Sequence, residues 1–565
     1  MHLLKLIFAV FVALLTACSG QNGSFRMSLA HMNDTHSHLE PVSVNLTIDG
    51  IKTTVELGGF TRLKTAIDTI RAEDPHLLLL HAGDAVQGTL YFTLFDGSLE
   101  FDFLNMLGVD AFTFGNHEFD RGTKPIPGWI GRSQFPWLSA NIDFSAEPAI
   151  APLVRPYMIK EINGDRVAII GVTTETTPEA TVSVGKAVFK DATESARQQV
   201  DALTALGINK IILLSHLGYI QDKILATRVS GIDIIIGGHS HTLLGDETEL
   251  SLIDLIPEGP YPTELRTPEG ECVLVLQAWK WGQMLGRLNV SFTPDGEISK
   301  YNSQPVIPVG GVFFRNGEEV LPDTEPYQGI IRTLHKTEIA RIVAEDPAVA
   351  AALAPYTARL EQFRREVVAV AADDITVGLN SGPGPLAVDS MLAALPGAHL
   401  AIINYGGVRR DLLAGNISVG DILEVMPFAN TLVLIDLSGA ELQQALEEGV
   451  DYLVTRYGID SNAMPYLGGA TMTVCPASAK GSRVMALAVK DENGIYQPVE
   501  PAKIYRIAVN AFLAGGGDGF ATLKNATGFR SDTGIIDSDA FHDYLKELGT
   551  VPNPTERRVT IVTAK

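Results

Sequence analysis

The chain has 565 residues, 46% of them hydrophobic, and carries 43 Lys plus Arg against 66 Asp plus Glu, a net charge of −23. That length exceeds one ordinary core, so two or more domains are expected. The acidic balance excludes general nucleic-acid binding, and any site for anions must bring its own positive charge, from metal ions or a few placed arginines.

The three cysteines, Cys18, Cys272 and Cys475, are too few for a disulfide scaffold. Cys272 and Cys475 read as buried thiols, with a bridge between them left open. Residues 1–17 carry a basic start at His2 and Lys5, then an apolar run from Leu6 to Leu15 that is too short to span a membrane and reads as a signal peptide. It ends Leu15-Thr16-Ala17-Cys18, which resembles the bacterial lipobox; the resemblance implies acylation of Cys18. Ser19 to Ser24 is small and polar, so 18–26 suits a tether. Ser19 is not the Asp associated with inner-membrane retention, which, in a source with two membranes, points to an outer-membrane anchor facing periplasm or surface.

From Met27 short apolar runs alternate with amphipathic helices, the pattern of an α/β domain over 27–328. One helix is expected at Thr61 to Glu73, with Leu63, Ala66, Ile67 and Ile70 on one face. Another is expected at Thr193 to Leu206, stopped by Gly207. The runs Leu77–Leu80, Val167–Ile170, Ile211–Leu214 and Ile234–Ile236 lack polar residues, as strands covered on both faces do.

Five predicted strand ends finish in groups that can bind metal. They are Asp34-Thr35-His36, Gly83-Asp84, Gly115-Asn116-His117-Glu118-Phe119-Asp120, Ser215-His216 and Gly238-His239-Ser240-His241. Ligands gather at the carboxyl ends of strands in open α/β sheets. Carboxylate, imidazole and amide donors without thiolate suit Zn, Mn, Co and similar ions. Gly115 is read as allowing a sharp turn. His31, His38, His76 and His81 read as ordinary histidines satisfied by local partners.

This set resembles the calcineurin-like metallophosphatases, and Asp120 makes it most similar to their 5′-nucleotidase branch. The resemblance implies a four-layer β-sandwich flanked by helices and hydrolysis of a phosphoester by metal-activated water. It implies that Asp34, His36, Asp84 and His241 hold one divalent ion. Asp84, Asn116, His216 and His239 would hold a second, with Asp84 bridging. His117 would then be no ligand but would pair with Asp120 and face the substrate phosphate.

Strands near Cys272–Leu276 and Leu285–Phe292 are expected to complete the first sheet system. Residues 293–328, rich in Pro and Gly, read as loop. A helical linker is expected over 329–366, with a start at Asp346-Pro347 and a kink or restart at Pro355.

From about Val367 the character is α+β, giving a smaller domain over 367–565. Asn404-Tyr405-Gly406-Gly407-Val408-Arg409 follows an apolar run, and Arg409 can fork onto a phosphate or a carboxylate. Phe428 and Phe512 lie on separate loops. By resemblance to the 5′-nucleotidase C-terminal domain, Phe428 and Phe512 stack on the base, Asn404 and Arg409 contact the nucleotide, Asp518 holds the ribose hydroxyls and Asn430 assists. One feature departs from the family. No arginine lies between Arg365 and Arg409, so a cationic phosphate contact is missing, with Arg410 as the available substitute. The expected substrate is therefore a nucleotide or related phosphoester. A 2′,3′-cyclic-nucleotide phosphodiesterase and a non-catalytic surface adhesion lipoprotein stand as alternatives.

Overall fold

Leu77 to Leu80 show why the first domain is layered. Successive side chains on a strand point to opposite faces. Leu78 and Leu80 enter a core shared by two sheets, while Leu77 and Leu79 enter a core under helices. These features come from a computed structural model, which describes residues 25–181, 183–459 and 461–562. The signal peptide, Cys18 and most of the tether lie outside the described residues.

One sheet has seven strands, in the order Ile298–Ser303, Gly286–Phe292, Phe25–Met32, Leu78–His81, Ala111–Thr113, Trp137–Leu138, Val154–Arg155. The other has six: Thr263–Arg266, Cys272–Gln277, Ile234–Gly237, Ile211–His216, Asp165–Thr173, Tyr157–Ile162. The helix Phe60–Glu73 buries Leu63, Ile67 and Ile70 against the first sheet. Each such side chain contributes about 1.5–3 kcal/mol. The helix Ala192–Ala205, capped by the Asp191 side chain on Glu194 N–H, packs Ala196, Val200 and Leu203 into the core on the second sheet's side. The layers therefore run helix, sheet, sheet, helix, as the resemblance implied.

The topology sets the site. Phe25–Met32, Leu78–His81 and Ala111–Thr113 run parallel, and so do Asp165–Thr173, Ile211–His216, Ile234–Gly237 and Cys272–Gln277. Parallel strands end at a common rim, so the motifs that follow them meet there.

Several expectations need correction. Residues 293–328 are not plain loop: they include the strands Ile298–Ser303 and Ile307–Val309. The first is an edge strand whose Lys300, Asn302 and Ser303 hide its pairing from a hydropathy reading. The linker is not all helix either, since Ala340–Ile342 pairs with Ile307–Val309. The Asp346 carboxylate does cap the helix Pro347–Phe363, which continues through Pro355 without restarting. Cys272 and Cys475 are both free thiols.

The later residues build a five-stranded sheet, Tyr466–Gly468, Leu400–Ile403, Ile504–Asn510, Thr431–Ser438, Arg530–Ile536, flanked by helices such as Gly439–Tyr457 and Asp537–Leu548. Among the described residues no helix is long and apolar enough to cross a membrane.

Candidate metal centre and nucleotide cleft

The strand ends converge. Ligand atoms of Asp34, His36 and His241 lie within 4.8 Å of one another, and so do those of Asp84, His216 and His239. His36 Nε2 is 3.8 Å from Asp84 Oδ2, which joins the two groups. Asn116 Oδ1 is 2.9 Å from His239 Nδ1. The backbone is strained where these groups sit. Asp34, His36, Asp84, His239 and His241 all have positive φ, which non-glycine residues rarely adopt and which surrounding structure must enforce.

The donor set fits cations. His216 Nδ1 and His36 Nδ1 approach the carbonyls of Ala82 (2.7 Å) and Gln87 (3.2 Å), which can only accept, so each Nε2 presents a lone pair inward. His36 Nε2 and His241 Nε2 face each other at 3.0 Å. His216 Nε2 lies 2.9 Å from Asp84 Oδ2 yet makes no well-formed hydrogen bond. Burial disfavours charge on His216, but Asp84 lifts its pKa to about 9.

Gly115 serves a different purpose from the one its sequence suggests. It is not among the positive-φ glycines. A Cβ on it would stand 2.0 Å from Asp84 Oδ1, so glycine is required for the close approach of two loops.

His117 Nδ1 hydrogen-bonds Asp120 Oδ2 at 2.7 Å, and its Nε2 stands 3.9 Å from Asp84 Oδ2. Burial would lower the pKa of His117. The carboxylates of Asp120 and Asp84, with Asp532 beyond, instead raise it well above the usual imidazole range. The flank of this pair is closed by the other domain: a Cβ on Gly534 would stand 1.9 Å from His117 Cε1. His117 is consequently only 4% exposed.

Glu118 stands in the Gly115–Asp120 motif, but the sequence assigns it no role. Its buried carboxylate accepts N–H bonds from Asp84 (3.1 Å), Ala85 (2.9 Å) and Gly115 (2.6 Å). It ties the Asp84 loop to the Asn116 loop. Glu118→Gln keeps the shape but turns an N–H₂ toward these donors. We expect its metal affinity to fall about 10–100-fold, the usual cost of losing an outer-shell partner. Metal titration of the variant checks this, and an unchanged isotherm would contradict it.

Around the second domain's loops, Asn510 Nδ2 donates to Asn404 Oδ1 at 3.0 Å, and Asn404 Nδ2 donates to Asp518 Oδ2 at 3.0 Å. Asn510, also unforeseen, fixes the amide that meets Asp518. Arg409 extends over the Phe428 ring, 5.9 Å from its centroid. Phe428 is 51% exposed and Phe512 45%. A cleft of about 780 Å³ lies between the domains, lined by His38, Tyr91, Trp281, Arg364, Phe428 and Asp539 among others. Phe428 reaches this cleft, while Phe512 packs over Gly517. Arg410, the available substitute for the missing arginine, is ion-paired with Glu424 at the surface.

Asn430 has a partner within the fold. Its carbonyl accepts the Asp537 N–H (2.8 Å) and its amide approaches the Asp537 carboxylate at 3.4 Å. Burial pushes the Asp537 carboxyl up to about 7 from 3.8. A raised folded pKa means that stability is fully present below pH 3.8 and is lost as pH rises through about 7. Asp537→Asn removes that loss, worth about 2–4 kcal/mol. Calorimetry should find the variant's midpoint several degrees above the parent's in mild alkali and equal to it in acid. Equal midpoints in alkali would contradict this.

Comparison with known proteins agrees with this geometry. Residues 27–243 match the calcineurin-like phosphoesterase family, and residues 367–525 match the 5′-nucleotidase C-terminal domain. A relative from Treponema pallidum, named a probable 5′-nucleotidase, is 32% identical over 581 residues, covering 96% of each chain. The chain belongs to the 5′-nucleotidase family. As a member, it is a metallophosphatase-type hydrolase of two-domain architecture. Among solved structures, the NAD nucleotidase of Haemophilus influenzae superposes with a TM-score of 0.82 at 29% identity, covering 96% of this chain and 100% of that one. A 5′-nucleotidase precursor from Thermus thermophilus gives 0.60 at 38% identity, covering 95% and 99%. This family uses divalent metals, and the Asp and His groups of this chain suit them.

Proposed function

We propose that the chain is an exported phosphohydrolase that removes phosphate from nucleotides with two divalent ions, anchored through acylated Cys18 to the outer membrane. The observation that carries the chemistry is Asp84. Its Oδ2 lies between His216 Nε2, at 2.9 Å, and His36 Nε2, at 3.8 Å, one from each ligand group. Asp34, His36, Asp84 and His241 would hold one ion, and Asp84, Asn116, His216 and His239 the other. Bound there, the ions would lower the pKa of a water and clamp phosphoryl oxygens.

The remaining steps belong to side chains. His117, kept charged by Asp120, offsets the negative charge that grows on the phosphoryl group in the transition state. Glu118 holds the two ligand loops in register. Arg409 and Phe428 receive the nucleotide, and Asn404 with Asp518 offers partners to its hydroxyls. The names of the relatives, 5′-nucleotidase and NAD nucleotidase, support a nucleotide as substrate.

Product analysis tests this reading, in Mn, Zn and Co in turn: inorganic phosphate from AMP and from an aryl phosphate, UMP and a sugar phosphate from a UDP-sugar, and a ring-opened monophosphate from a 2′,3′-cyclic nucleotide. We expect AMP or the UDP-sugar to be cleaved. Cleavage of the aryl phosphate alone would end the nucleotide assignment. No cleavage at full metal load would favour the adhesion alternative.

A further inference from the structure

Lys280 stands beside Trp281, one wall of the cleft between the domains. It lies between Trp279 and Trp281, whose φ values of 53° and 58° put two large aromatics in the left-handed region. Strain of this kind persists only when the surroundings enforce it. Here they do so through the metal loops: Trp281 N–H donates to the Asp34 carbonyl (2.7 Å), and Asn33 Nδ2 donates to the Trp279 carbonyl (2.7 Å). The lysine is thereby built onto the backbone of a predicted ligand loop. Its Nζ lies 4.0 Å from the centroid of the Trp281 ring, which also stacks on His38 and lines the cleft with Phe428.

The ammonium is unmatched. In a chain with 66 acidic residues, Nζ of Lys280 has no carboxylate within ion-pair distance among the described residues. Arg364, on the same cleft, is paired with Glu361, and Arg410 with Glu424. Asp34 and Asp532 lie within electrostatic reach of Lys280 without touching Nζ. Two divalent ions beside Asp34 would make this surrounding more positive, so an unpaired lysine there is favourable only when an anion arrives. The loop of 376–386 contributes no cation of its own.

We propose that Lys280 is a specificity-determining contact: it receives the phosphoryl group next to the one being cleaved, between the metal ligands and Phe428. This rests on the nucleotide reading above. It favours a nucleoside carrying two linked phosphoryl groups over a monophosphate, because only the former has a second anion to place there. A flexible ammonium suits this as a point charge, whatever the rotation of the phosphoryl group.

The test compares kcat/KM for ADP and AMP in the parent protein, Lys280→Met and Lys280→Arg, with metal content measured on each sample. The parent should prefer ADP. In Lys280→Met the ADP-to-AMP ratio should fall at least about tenfold, the loss expected for one charge-assisted hydrogen bond, and mostly through KM. Lys280→Arg should restore most of the ratio. A ratio unchanged in Lys280→Met, a parent that prefers AMP, or metal lost along with activity would each overturn the inference. If the metal-loaded parent cleaved neither nucleotide, the nucleotide reading itself would fall, an outcome distinct from an unchanged ratio.

Discussion

Replacing His117 with alanine is expected to lower kcat by about 10²–10⁴-fold, the range for losing a positioned acid or electrostatic group. Metal content should stay at the parent level. Nδ1 of His117 is committed to Asp120 at 2.7 Å, and its Nε2 stands 3.9 Å from Asp84 Oδ2, farther than the 2.9 Å of His216 Nε2. In the proposed function its ring, held by Asp120, meets the phosphoryl group and holds no ion, although its Nε2 stands as near Asp84 as that of His36 and the three could together hold a cation. Asp120→Asn should act in the same direction, because the carboxylate that raises the pKa of His117 is gone. The charged imidazole then survives only to a lower pH, and the alkaline fall in activity moves down. Paired kcat profiles against pH check this. A His117→Ala protein with near-parental turnover, or with depleted metal, would show that the dyad is misassigned.

The second large effect is expected at Asp84. It touches both ligand groups through Oδ2 and accepts the His117 N–H on Oδ1 at 2.9 Å. Asp84→Ala removes the bridge, the anchor of the His117 backbone and a buried negative charge in one change. Both ions should be lost together, and kcat/KM should fall by on the order of 10³-fold or more, since Lewis-acid stabilisation is worth several kcal/mol. Elemental analysis beside aryl phosphate hydrolysis measures the two consequences on one sample. Retention of one tightly bound ion would mean that Asp84 is not shared.

The convergence of the proposed metal ligands was legible because each follows an apolar run, and parallel strands bring such ends to one rim. Asp34, Asp84, Asn116, His216, His239 and His241 needed no knowledge of side-chain packing to be grouped. What the sequence hid was of another kind. The positive φ of five of these residues is a property of tertiary context. Gly115 reads as a turn, whereas the fold uses its missing Cβ to admit Asp84. The edge strand Ile298–Ser303 is too polar for its pairing to show in hydropathy. Contacts between distant segments were the least visible. Gly534 closes the flank of His117 across more than four hundred residues, and Lys280 stands beside the cleft through Trp281, which is tied to the Asp34 backbone. Arg410 looked available as a phosphate contact until Glu424 was found beside it.

The most direct test is a metal reconstitution titration. Chelated protein is given Mn, Zn or Co in increments, and bound metal and phosphate released from AMP and ADP are read on the same samples. Activity should be absent without metal and should saturate as the second ion per chain is bound. Full turnover in metal-free protein, or two bound ions with both nucleotides intact, would contradict the account.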